Sequence, residues 1–226
     1  MTFQRKKKEE MKMAMNLTGS WVAMPIPFKK NGDIDFDGFK VLIDRQIQYG
    51  TNQLFVLGSA AEVTLLTPDE KKEIIKQTVK IVDHRIPVFF SAASNDTQGE
   101  IEMAKFEEEQ GADGVIFTVP PYVLIPQEDA FKHLDTVMSA TSLPVGIYNN
   151  PSRLGVQVEP ETIARLAERH PNFVVDKEAT GSNYQLVQVQ RLTKGKVKIM
   201  CCDSPYYSIV LPTLAVGGTG LANIGG

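Results

Sequence analysis

Two hydrophobic patterns alternate along the chain. Short runs, most of them apolar throughout, cover residues 18–26, 53–57, 87–91, 114–119, 144–148, 173–177, 197–201 and 220–224. Between them lie longer segments whose apolar side chains recur every three or four residues, as at Phe36, Phe39, Leu42, Ile43 and Ile47. That spacing marks one buried face of a helix. It predicts helices over residues 35–49, 68–82, 97–110, 127–139, 160–169, 183–192 and 205–215. The run Thr67-Pro-Asp-Glu70 reads as a capped helix start. Gly50 and Gly111 stand where two of the helices should stop.

Runs without polar alternation suit strands buried on both faces of a parallel sheet. Eight strands alternating with seven helices in so short a chain predict an α/β fold, a (β/α)8 TIM barrel. An open doubly wound sheet is the alternative, but no glycine-rich dinucleotide fingerprint follows the first strand. The expected organisation is one barrel domain over residues 17–226, preceded by a charged leader over residues 1–16. The leader carries Arg5-Lys-Lys-Lys8 but lacks the apolar core of a signal peptide. Because the eighth run ends close to Gly226, the expectation is a barrel without its last helix, with the seam between strands 8 and 1 uncovered. The segment Gly217-Gly-Thr-Gly220 precedes strand 8, so it belongs at the bottom of the barrel as a helix cap and turn, not as a phosphate loop.

Composition narrows the function classes. With 226 residues, 42% of them hydrophobic, the chain can bury one large core. A net charge of −3 and a pI near 5.7 give no reason to expect nucleic acid or an anionic membrane as partner. No apolar run approaches the ~20 residues that span a bilayer. The two cysteines, Cys201 and Cys202, are adjacent, which argues against a disulfide framework and for a cytoplasmic location. His84, His133 and His170 fall on predicted helices or at their ends, and no His, Cys and carboxylate group has metal-ligand spacing.

In such a barrel the chemistry lies where the strands end. The residues expected there are Ser59, Ala60 and Glu62, residues 91–94, Tyr122, Tyr148 and Arg153, Lys177 and Glu178, and Asp203. Lys177 ends a short apolar run and precedes a turn at Thr180-Gly181. A free lysine, with a pKa of ~10.4, is too fully protonated to attack a carbonyl at neutral pH. Desolvation among barrel strands lowers that value and frees the amine. By position alone, Lys177 is either such a nucleophile or a lysine paired with Asp176 or Glu178. Tyr148 is either a proton carrier or a strand aromatic with a satisfied hydroxyl.

Tyr148 in Tyr148-Asn-Asn-Pro-Ser-Arg153, Lys177 in Asp176-Lys-Glu-Ala-Thr-Gly181, and Gly58-Ser-Ala-Ala-Glu62 together resemble the dihydrodipicolinate synthase / N-acetylneuraminate lyase family. The resemblance runs from about Asn16 to the end and is nearest the synthase branch. It implies a barrel with a C-terminal helical extension, which is not expected within residues 17–226. The chemistry it implies is Schiff-base chemistry on pyruvate or another 2-keto acid, with no cofactor and a homo-oligomer, dimer or tetramer. On that resemblance Lys177 forms the imine, Tyr148 moves protons, and Ser59 joins Tyr148 in a relay. Ala60, with Ser59, offers backbone N–H groups to the keto-acid carboxylate. Arg153 holds the carboxylate of an aldehyde such as aspartate semialdehyde, and Ala222 lines the pocket. Two positions depart from the pattern. Ala60 and Ala61 replace a hydroxyl residue and a glycine, and Val123 replaces the tyrosine that completes the relay across a subunit interface. These departures keep two other readings open: a 2-keto-3-deoxy sugar-acid aldolase or dehydratase, and a non-catalytic keto-acid-binding protein.

Overall fold

A computed structural model describes residues 17–202 and 206–224. The expected leader over residues 1–16, Asp203 and Gly226 lie outside them. Eight parallel strands close into a barrel in sequence order. They are β1 (Gly19–Ala23), β2 (Gln53–Val56), β3 (Val88–Ser91), β4 (Gly114–Phe117), β5 (Val145–Asn149), β6 (Phe173–Glu178), β7 (Lys198–Cys201) and β8 (Gly220–Asn223). The helices are α1 (Phe36–Gln48), α2 (Pro68–Val82), α3 (Thr97–Gln110), α4 (Gln127–Met138), a short α5 (Pro151–Leu154), α6 (Pro160–Arg169), α7 (Asn183–Thr193) and α8 (Val210–Ala215).

Successive strand side chains point to opposite faces, and this sorts the core into two layers. Trp21, Phe55, Phe89, Ile116, Val175, Met200 and Ala222 fill the barrel interior. Their neighbours Val22, Leu54, Val56, Phe90, Val115, Phe117, Ile147 and Ile199 face outward into the layer beneath the helices. Both faces are therefore apolar, which is why the strands read as continuous runs.

The boundaries follow local chemistry. Asp35, Thr67, Asp96 and Ser182 each accept a backbone N–H at the start of a helix, and Thr67 with Glu70 forms a full capping box. Pro87 and Pro144, expected as first strand residues, lack an N–H and stay outside β3 and β5, though their carbonyls accept from Leu54 and Val115. The helix expected from residue 205 begins only at Val210, because Tyr207 sits at φ 53°, a left-handed value that a right-handed helix cannot contain. Gly220 is required for closure: a Cβ there would lie 2.0 Å from the Gly19 carbonyl oxygen on the facing strand. The Gly217-Gly-Thr-Gly220 segment is a turn leading from α8 into β8, as expected. No helix among the described residues is long and apolar enough to cross a membrane. None of their His, Cys, Asp and Glu side chains cluster in a way that could hold a metal ion.

Helix α3 carries two fully buried acids. Glu100 lies 3.3 Å from His133 Nε2 and accepts from the Thr118 hydroxyl at 3.3 Å. Neither oxygen of Glu107 has a hydrogen-bond partner. Burial, and secondly the charge of Glu100, push the Glu107 carboxyl well above the usual carboxylate range. A raised folded-state value means that its contribution to stability is complete below the ordinary carboxylate pKa. That contribution is lost as pH rises through the folded value. Glu107→Gln should accordingly match the parent in acid and melt higher at neutral and alkaline pH, by about 2–4 °C per kcal/mol recovered. Melting curves over pH test this, and parallel curves for the two proteins would refute it.

Candidate active site

Register brings the site together. In β5 and β6, Tyr148 pairs with Lys177, and Lys177 pairs with Met200 on β7. Lys177 lies two residues after the inward Val175 and shares its face. Asp176 and Glu178, one residue to either side, point outward beneath the helices. The alternative of a lysine paired with these acids therefore fails by the parity of the strand. Glu178 is held by Asn149 Nδ2 at 3.2 Å and the Thr180 N–H at 2.8 Å. Burial raises the carboxyls of both acids, and the neighbouring Glu178 adds to the effect on Asp176.

Lys177 is 2% exposed. Its Nζ lies 3.5 Å from the centroid of the Tyr148 ring and 5.5 Å from that of Phe55, a cation–π seat for an ammonium. The same Nζ donates to Cys202 Sγ at 2.9 Å. Burial pushes the Lys177 amine down, as expected, but Cys202 and then Tyr148 push it up, and the net direction is upward. The expectation of a lowered value is corrected to that extent. Burial thus opposes the two partners, and their charges and hydrogen bonds together outweigh it.

The Tyr148 hydroxyl accepts from Asn150 Nδ2 at 2.6 Å and lies 3.8 Å from Cys202 Sγ. Ser152 donates to Asn150 Oδ1 at 2.6 Å and fixes that amide. Ser59, expected to join Tyr148 in a relay, makes no side-chain hydrogen bond among the described residues. Ser59 does line the cavity. Leu57, at φ 62°, bends the end of β2 sharply, and Ser59–Ala61 follows as a 3-10 turn. The backbone N–H groups of Ser59 and Ala60 have no partner among the described residues, so both can receive an anion.

Lys177, Tyr148, Ser59, Ala60, Arg153 and Ala222 all line one cavity of about 350 Å³, together with Cys202. A larger neighbouring space of about 670 Å³ shares Ser59, Tyr148 and Arg153 and adds Glu62, Ser91 and Ser94. Lys177 lines the smaller space and not the larger one. Arg153 on α5 is exposed and forms no ion pair among the described residues, which leaves its guanidinium free for a ligand. Tyr122 is 97% exposed at φ 75° and lines neither cavity. Val123, half-exposed beside it, presents no hydroxyl. Asn150 and Cys202 were not among the expected residues. Counting two residues on from an inward position, Met200 to Cys202, would have found the thiol.

Residues 16–224 match the Dihydrodipicolinate synthetase family. The 4-hydroxy-tetrahydrodipicolinate synthase of Geobacter metallireducens is 36% identical over 206 residues, 91% of this chain and 69% of that protein. The enzyme of the same name from Nitratidesulfovibrio vulgaris is 37% identical over 210 residues, 93% of this chain and 70% of its own. Among solved structures, the 4-hydroxy-tetrahydrodipicolinate synthase of Methylacidiphilum fumariolicum SolV superposes with a TM-score of 0.87 at 34% identity, covering 91% of this chain and 67% of that one. YagE from E. coli K12, a prophage protein of the dihydrodipicolinic acid synthase family solved in complex with pyruvate, gives 0.85 at 27% identity, covering 91% and 70%. With the sequence match over nearly its whole length and the closed barrel around Lys177, the chain belongs to the dihydrodipicolinate synthetase family and is a lyase of that type.

Proposed function

We propose that Lys177 forms a Schiff base with pyruvate or a related 2-keto acid, which is then condensed with an acidic aldehyde such as aspartate semialdehyde. The observation that carries this reading is a buried primary amine facing a cavity and seated over the ring of Tyr148. In this reading the keto-acid carboxylate lies against the N–H groups of Ser59 and Ala60, and Ala222 closes the apolar side of the pocket. The carbonyl carbon then meets Lys177 Nζ. Tyr148 carries protons to and from the reacting atoms, with its hydroxyl oriented by Asn150. Arg153, on the rim shared by both cavities, takes the carboxylate of the aldehyde. The pyruvate found in YagE, a relative on the same barrel, supports the choice of keto acid.

Incubation with pyruvate and borohydride should add one pyruvate-derived mass, located on Lys177. Labelling of a different lysine would sink the assignment. Arg153→Ala should leave that labelling intact while raising KM for the semialdehyde roughly tenfold or more, the scale of a lost charged hydrogen bond. An unchanged KM would remove Arg153 from the second-substrate site. The valine at position 123 favours a second reading, an aldolase acting on a sugar-derived aldehyde. Faster turnover of such an aldehyde than of the semialdehyde would select it.

A further inference from the structure

The thiol of Cys202 lies within hydrogen-bond reach of the nitrogen that would react. It accepts from Lys177 Nζ at 2.9 Å, and it is 3.8 Å from the Tyr148 hydroxyl. Its backbone holds it there, because the Cys202 N–H donates to the Glu178 carbonyl at 2.7 Å and so extends the pairing of β6 with β7 by one residue. Cys201 next to it faces outward and meets the Gly220 carbonyl at 3.5 Å, so only one of the two thiols reaches the cavity. The titratable groups sharing the cavity with Cys202 are Lys177 from β6, Tyr148 from β5, Arg153 from α5 and Tyr206 from the segment after β7. The carboxylates of Asp176 and Glu178 are on the far face of β6.

We propose that Cys202 is a catalytic acid–base group of imine formation, exchanging a proton directly with the Lys177 amine; this rests on the imine reading given above. A buried pair is most stable when its net charge is zero. Two arrangements satisfy this, ammonium with thiolate and amine with thiol, and they differ by one proton moved across 2.9 Å. Transfer from ammonium to thiolate yields the free amine without sending a proton to bulk water. The amine then adds to the keto carbon. The nitrogen proton passes to the new oxygen, giving a carbinolamine. The Cys202 thiol protonates the leaving hydroxyl, water departs, and the C=N bond forms. The products are an iminium on Lys177, a thiolate on Cys202 and one water. Charge and atoms balance, and the thiolate remains as counter-ion to the iminium.

The cycle needs a side chain that both gives up its proton and takes it back beside the amine, so serine cannot replace cysteine. A serine would preserve size and hydrogen bonding but keep its proton across the working range. The test is the rate of borohydride trapping with pyruvate, followed by mass from mildly acidic to alkaline pH, in the parent, Cys202→Ser and Cys202→Ala. Both variants should trap ~10²-fold more slowly at neutral pH, with the rise in rate displaced to higher pH. The ultraviolet absorbance of the Cys202 thiolate should appear at higher pH in Lys177→Met than in the parent. If Cys202→Ser keeps the parent rate and profile, the proposal is overturned while the imine reading stands. A thiolate titration unchanged by Lys177→Met would overturn it equally. If the parent itself traps no 2-keto acid, both the proposal and the reading beneath it fall. Trapping in the parent that is slowed in both variants supports the two together.

Discussion

Lys177→Ala is expected to trap no keto acid under borohydride and to lose turnover by roughly 10⁴-fold or more, the scale of a removed nucleophile. Nothing nearby can replace the amine. Among the described residues that line its cavity no other carries a primary amine, and neither the Cys202 thiol nor the Tyr148 hydroxyl forms an imine. Lys177→Met sharpens the experiment. It keeps the length of the side chain over Tyr148 and Phe55 but removes a charge that is costly to bury. The methionine protein should therefore be as inactive as the alanine protein, yet melt at or above the parent temperature. Activity surviving in Lys177→Met would move the nucleophile elsewhere. Inactivity together with a much lower melting temperature would make Lys177 a structural residue instead.

Tyr148→Phe should slow turnover by about 10²–10⁴-fold, the range of a lost general acid–base group, with a smaller change in KM. It should also destabilise the protein, for a reason independent of catalysis. The hydroxyl accepts from Asn150 Nδ2 at 2.6 Å, and both residues are buried. Removing the acceptor leaves that amide N–H unpaired, at a cost of about 1–3 kcal/mol. The double variant Tyr148→Phe, Asn150→Leu should regain part of this stability and none of the activity. An unchanged kcat in Tyr148→Phe would place proton transfer on other groups, and recovery of activity in the double variant would assign the tyrosine to packing.

The barrel was legible because its strands are buried on both faces, so each leaves an uninterrupted apolar run between helices of regular spacing. The capping box at Thr67 and the terminal Gly111 placed their helix ends to the residue. Lys177 was legible as a charge closing such a run. What stayed hidden depended on pairing between distant segments. The upward pull on the Lys177 amine comes from Tyr148 and Cys202, on the strands to either side, and local sequence does not reveal that register. Cys202 was hidden for another reason: cysteine reads as one more apolar residue in the stretch that contains β7. Two backbone bends were hidden as well, at Leu57 and Tyr122, where φ is 62° and 75°. Ordinary side chains give no warning of such values.

The filling of the barrel interior has a consequence for the order of events. Beneath Lys177, the space between the strands is occupied by Trp21, Phe89, Ile116, Val175 and Met200, with Trp21 and Phe89 in ring contact at 4.9 Å. The pocket is thus an alley closed at its base, and Arg153 lines its wall. If Arg153 holds the second substrate as proposed, that molecule lies over the buried lysine. A keto acid arriving after the aldehyde would find its path occupied, and one already joined to the lysine would be covered by the molecule that follows. Traffic in such an alley is first in, last out.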